Sequence, residues 1–316
     1  MARSVFISSM LFVFAVAGSA AIACDDAAEN DADAGADSGP DADTGCEGDV
    51  VTFADERLEL VVRFAIGKPT GVLCTEDVEG IQELDANDRG IADLEGIQAL
   101  TSLSTLSAFS NEIADFTPLA GLTSLTHLDL SYNLTGDLAP LAGLTSLFSL
   151  GLYGNQISDL APLEGLVSLG QLYLTFNEIS DLSPLADLTA LSSLTLSYNK
   201  ISDLAPIAGL TSLVNLQLRA NQIGDLAPVA GLTSLDSLNV ELNQVPEVTP
   251  LEGLTALSSL RLADNQIENL APLVANGGIG AGDLVYVGNN PIDEVAQAAN
   301  IAALCDRDVQ LDPYCP

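Results

Sequence analysis

Positive charge is the scarcest property of this sequence. Its 316 residues hold 9 lysines and arginines against 44 aspartates and glutamates, a formal net charge of −35. A surface so acidic repels phosphate backbones and anionic lipid headgroups, so nucleic acid is excluded as a partner. Histidine is nearly absent, with His127 alone in the chain. His127, Asp129 and Ser131 share one face of an expected strand. Strand neighbours two apart are separated by roughly 6.5–7 Å, too far for the hydrogen-bonded relay that nucleophilic catalysis needs. No phosphate-cradling glycine loop and no H-E-x-x-H zinc motif occurs, and the 5 cysteines lack zinc-finger spacing. The expectation is a protein with no catalytic residues, no metal and no cofactor. The apolar stretch at residues 5–17 is too short to span a bilayer.

What the chain has in abundance is repetition. Asparagines recur every 22 residues: Asn111, Asn133, Asn155, Asn177, Asn199, Asn221, Asn243 and Asn265. A proline follows each by seven, from Pro118 to Pro272. A fixed period in this range marks a solenoid. In the cleanest copy, residues 147–168, the apolar set is Leu147, Leu150, Leu152, Ile157, Leu160, Leu163 and Leu166. Leu150 and Leu152 alternate with Ser149, Gly151 and Tyr153, as in a short strand with one buried face. One unit cannot bury its leucines alone. Stacked units share a continuous core and a parallel sheet, each buried Leu or Ile contributing roughly 1.5–3 kcal/mol gross. The asparagine amide is expected to satisfy backbone groups buried where the chain leaves the strand, making the column a structural ladder. Proline suits a short 3₁₀ or irregular return segment, because it lacks a donor.

The pattern L-x-x-L-x-L-x-x-N-x-I is that of leucine-rich repeats, and the tail D-L-x-P-L-x-G-L-T-S-L resembles the 22-residue class of bacterial internalins. The resemblance spans about residues 53–304. It implies an α/β solenoid: a right-handed horseshoe with a parallel concave β-sheet, a 3₁₀ or irregular convex side, and helical N- and C-terminal caps. Arg89 takes the asparagine position in a cryptic first repeat, and Asn290 closes the last one after a longer step. Ten strands follow, a sheet about 45 Å long at roughly 4.8 Å per strand.

The flanks fit export. Residues 1–23 read as a signal peptide, with Arg3, the apolar stretch, and small residues before Cys24. That arrangement resembles a bacterial lipobox, which implies lipidation of Cys24, although Ala21 stands where such boxes prefer leucine. Plain secretion by cleavage at the same bond is the other reading. Residues 24–49 carry ten acids and no basic residue, an acidic tether that cannot bury a core. Asp31-x-Asp33-x-Gly35 hints at a calcium loop, but the closing glutamate is missing.

Residues 50–80 form the expected N-terminal cap, with Asp55 as N-cap and Phe53, Leu58, Val61, Val62 and Ala65 at helical spacing. Its VTFAD and IGKPT stretches resemble the internalin cap. Residues 81–292 are the repeats and 293–316 the C-terminal cap. Four cysteines remain after Cys24. Cys46–Cys74 and Cys305–Cys315 are the simplest pairs, though three connectivities are formally possible.

Outward strand positions lie two, four and six residues before each asparagine, with the preceding residue at the sheet edge. They hold Phe109, His127, Asp129, Tyr132, Tyr153, Tyr173, Phe176 and Tyr198, then Arg219, Glu241 and Arg261. Rigid amphipathic aromatics are favoured interface anchors, so this stripe is the candidate ligand surface. The resulting expectation is a monomeric, exported protein at the cell envelope or surface. It binds a protein partner on its concave face and meets the membrane only through a lipid anchor. Carbohydrate or cell-wall polymer binding, and a purely structural envelope role, are the alternatives. A second column, Asp115, Asp137, Asp159, Asp181, Asp203 and Asp225, sits just before the proline turns, where short acids cap free amides.

Overall fold

The computed structural model describes Cys46 and residues 48–315. The signal segment, Cys24, most of the tether and the Asp31–Gly35 stretch lie outside the described residues.

Each 22-residue unit folds as one coil, with a three-residue strand at its start. The strands are β1 Glu83–Asp85, β2 Thr105–Ser107, β3 His127–Asp129, β4 Ser149–Gly151, β5 Gln171–Tyr173, β6 Ser193–Thr195, β7 Asn215–Gln217, β8 Ser237–Asn239, β9 Ser259–Arg261, β10 Leu284–Tyr286 and β11 Gln310–Asp312. They form one open parallel sheet in chain order. Leu128, Leu150 and Leu172 stand directly opposite one another, so the sequence period becomes the sheet register. In the regular coils a 3₁₀ turn makes the return on the other side, as at Ala161–Leu163, with its proline in the first turn, where no donor is needed. Between sheet and turns the leucines form one unbroken core. The seven apolar residues of the 147–168 coil are all 0–1% exposed.

The asparagine column runs inside this core as an inter-coil splice. Asn177 donates Nδ2 to Leu174 O at 3.0 Å within its own coil and to Leu152 O at 2.9 Å in the coil before, and its Oδ1 accepts from Ile157 N at 3.0 Å. Asn111, Asn221, Asn243 and Asn265 repeat the pattern. One copy departs from it. Where Thr135 replaces the usual isoleucine, Asn155 Oδ1 accepts from Asn133 N at 3.2 Å, and Thr135 Oγ1 accepts from Asp137 N instead.

The acidic column closes the other corner. Asp115, Asp137, Asp159, Asp181, Asp203 and Asp225 each accept the amide two residues on, at 2.7–2.9 Å. The hydroxyls of Thr117 and Ser183, with their backbone amides, hold the Asp115 and Asp181 carboxyls below the usual range.

The first coil is covered by α1, Glu56–Ile66, and the single turn α2, Thr75–Val78. Leu58 and Val62 of α1 are fully buried in the common core. Ala65, expected on the packed face, is exposed, and Ile66 takes the half-buried place beside the core. Asp55 ties the cap to the repeats: Oδ1 accepts from Arg57 N and Oδ2 from Ala92 N, both at 2.8 Å. Gly96 makes close approach possible. It sits at φ +106°, and a Cβ there would lie 2.4 Å from Thr52 O. Cys46 is bonded to Cys74.

Burial raises the Asp55 pKa, but the amides of Ala92 and Arg57 and the Arg57 charge outweigh it, leaving the carboxyl below its ordinary range. A depressed folded pKa means a contribution present above the unfolded value and lost as pH falls through the folded one. Asp55→Ala is expected to lower stability by about 1 kcal/mol at pH 7. That deficit should shrink as pH falls below about 4, as read by urea midpoints of both proteins.

The far end is where the structure exceeds the expectation. Among the described residues eleven strands form, not ten. Helix α3, Ala271–Ala275, replaces the 3₁₀ turn, and α4, Ala298–Cys305, is followed by β11, which pairs with β10. Leu311 is fully buried and Cys305 is bonded to Cys315, so the last segment caps the core as sheet as well as helix. No helix among the described residues is long and apolar enough to cross a membrane.

Candidate functional site

The strands place every second side chain on the face away from the core, and the residue before each ladder asparagine sits at the sheet edge. That edge residue adopts a left-handed backbone in coil after coil, with φ of 54° at Tyr132, 57° at Phe176 and 57° at Tyr198. Bulky side chains rarely accept this conformation, and Gly154 meets it in the one coil that has a glycine there.

The aromatic residues converge into one continuous ladder. Phe109 meets Tyr132 edge-on at 5.3 Å between centroids, Tyr132 meets Tyr153 at 4.7 Å, and Tyr153 meets Phe176 at 5.3 Å. Phe176 and Tyr198 stack at 4.1 Å with planes 8° apart. Tyr132, Phe176 and Tyr198 are exposed, while Tyr153 and Tyr173 are half-buried. Burial, then contact with Tyr132, pushes the Tyr153 phenol far above its usual range. Burial raises that of Tyr173, whose hydroxyl donates to Gln171 Oε1 at 3.2 Å. Both hydroxyls are therefore neutral hydrogen-bonding groups at physiological pH.

The charged residues form a second, contiguous cluster. Arg219 donates Nε to Tyr198 Oη at 3.1 Å, which joins the cluster to the ladder, and Nη1 to Glu241. Arg261 Nη1 lies 3.9 Å from the other Glu241 oxygen, and its guanidinium sits 4.6 Å over the Tyr286 ring. Glu241, read from its register as an outward residue, is only 7% exposed, because the arginines on the two flanking coils close over it. Burial opposes the charge on Arg219, but the bond to Tyr198 and the Glu241 carboxylate more than restore it.

His127, Asp129 and Ser131 are each engaged separately. His127 Nδ1 lies 3.0 Å from Thr126 Oγ1, Asp129 accepts from Ser131 N, and Ser131 Oγ accepts from Tyr153 N. None of these bonds links the three side chains into a relay.

Two residues on this face escaped the sequence reading. Tyr286 stands four before Asn290, in the same frame as the others, but the last step is 25 residues and hid it. Phe148 lies seven before Asn155 and is 45% exposed. It reaches the face because Gly170 has no side chain; a Cβ there would be 2.3 Å from the Phe148 ring.

A family model described as leucine-rich repeats (2 copies) matches residues 101–143, 145–187 and 189–232. An internalin C2 of Listeria monocytogenes is 40% identical over 65% of this chain and 92% of its own, with a TM-score of 0.64. The chain belongs to the internalin-type leucine-rich repeat family. A second internalin of that organism is 27% identical, over 82% of this chain and 95% of its own, with a TM-score of 0.57. A leucine-rich repeat protein of Leptospira interrogans, 22% identical over 75% of this chain and 73% of its own, shares the fold at a TM-score of 0.63. Among curated proteins none matches. Leucine-rich repeat proteins of the internalin type are binding scaffolds, and no catalytic family is indicated.

Proposed function

We propose that this internalin-like protein is exported to the cell envelope or surface and binds a protein partner on its sheet face. The observation that carries this is the ladder from Phe109 to Tyr198, five rings in unbroken contact on an accessible sheet. Packed rings on a stacked solenoid lose little conformational freedom on binding, so their apolar area is available for affinity. Three of them occupy left-handed backbone positions that disfavour bulky residues, an arrangement more in keeping with a selected surface than with filler. Two disulfides support export, since such bonds persist in oxidising compartments. Lipidation at Cys24 would then hold the solenoid to a membrane at the end of its acidic tether.

Ring geometry favours protein over sugar. A saccharide stacks on an open aromatic face, whereas Phe176 and Tyr198 cover one another and the remaining contacts are tilted or edge-on. The ladder presents ring edges and grooves, which suit inserted apolar side chains. The test is capture by the immobilised protein from surface-labelled cells, beside a glycan array. A saturable protein partner with no glycan signal is the expected result. A strong glycan signal without a protein partner would replace this reading with the carbohydrate one.

A further inference from the structure

We infer that the sheet face recognises its partner through an acidic side chain, received between Arg219 and Arg261 at the end of the aromatic ladder. This rests on the protein-binding reading above and names the chemistry of the partner. The chain has only 9 basic residues, yet two of them flank one buried carboxylate on this face. Two guanidinium groups against Glu241 leave one positive charge in excess.

Their donors are far from exhausted. A guanidinium carries five N–H groups. Arg219 commits one from Nε to Tyr198 and one from Nη1 to Glu241. Arg261 approaches Glu241 only to 3.9 Å and is held in place by the Tyr286 ring. Both side chains remain accessible, at 33% and 41%. Glu241 and Tyr286 thus fix the two guanidinium groups while both stay partly accessible, with N–H groups left to donate to a carboxylate.

The surroundings admit an anion. From β4 to β7 no outward or edge position carries an acid, in a chain with 44 of them. On the coil of Arg261 the edge position carries a carboxylate, Asp264, which accepts from Asn289 Nδ2. An aromatic or aliphatic residue beside the partner's acid would meet Phe176 and Tyr198, because Arg219 is bonded to Tyr198. The occupant is therefore an acidic segment with a bulky apolar neighbour.

The probe is a pair of dipeptides, acetyl-Phe-Glu-amide and acetyl-Phe-Gln-amide, titrated into the full chain carrying 15N-arginine. The expected result is a shift of the Arg219 and Arg261 side-chain resonances by the Glu peptide, with a Kd at least fivefold below that of the Gln peptide. Arg261→Gln should erase that preference, and its unchanged thermal unfolding would show that the fold survives. Equal affinity for the two peptides, or a preference that persists in Arg261→Gln, overturns the inference while leaving the capture experiment to judge the wider reading. Galacturonate binding as tightly as the Glu peptide overturns it too, in favour of a sugar acid.

Discussion

Asn177→Ala is expected to destabilise the solenoid by about 3–5 kcal/mol, because buried groups left without partners cost roughly 1–3 kcal/mol each. The substitution orphans Leu152 O and Ile157 N, both on residues with fully buried side chains, while Leu174 O keeps the bond from Asn199 Nδ2. Two of the lost bonds join neighbouring coils. The damage therefore falls on the contact between coils, which in a stacked repeat is what couples one unit to the next. Urea unfolding reads the total, and amide exchange should show protection lost first across residues 152–179. Gln156 is the control. It is exposed and spends its amide on a 3.4 Å contact to Leu134 O, so Gln156→Ala should stay within about 0.5 kcal/mol. A change at Asn177 below about 1 kcal/mol would mean that the ladder decorates the stack without holding it.

The second large effect is on binding. Phe176→Ala and Tyr198→Ala should each weaken partner affinity by about 30-fold or more, the range of a central aromatic anchor. The two rings touch, so the double variant should lose less than the sum of the single losses. Folding should survive, because Ala220 occupies the same edge column at φ 56° and shows that alanine accepts this backbone. Surface plasmon resonance against the captured partner, beside thermal unfolding of each variant, checks both statements. Glu164→Ala, on the exposed opposite side, should bind as the parent does. A parental affinity in both aromatic variants would remove the ladder from the interface.

The fold was legible because the same physical demand recurs every 22 residues. Leucines at fixed spacing need a neighbour to cover them, and eight asparagines set the register of the stack. Losing one leucine, as at Ala108, left the frame readable. The ends were less legible, since no repeat constrains them. Residues 310–312 carry no asparagine signal, and only the position of β10 and the Cys305–Cys315 bond reveal them as an eleventh strand.

For the site, register told which side chains point outward but not what they meet there. It correctly placed Tyr153 and Phe176 on one face, yet their contacts depend on rotamers that spacing does not encode. Glu241 shows the limit most clearly. Its position is outward by the period-2 rule, but the arginines one coil away on either side bury it. Phe148 depends on a missing side chain at Gly170, a relation between two coils rather than a motif within one.

The most direct measurement is hydroxyl-radical footprinting of the protein with and without its captured partner. Protection should concentrate at Tyr132, Tyr153, Phe176 and Tyr198, while Pro162 and Pro184 on the opposite turns react as in the free protein. Protection of the proline turns, with the aromatic ladder still fully reactive, would contradict the account.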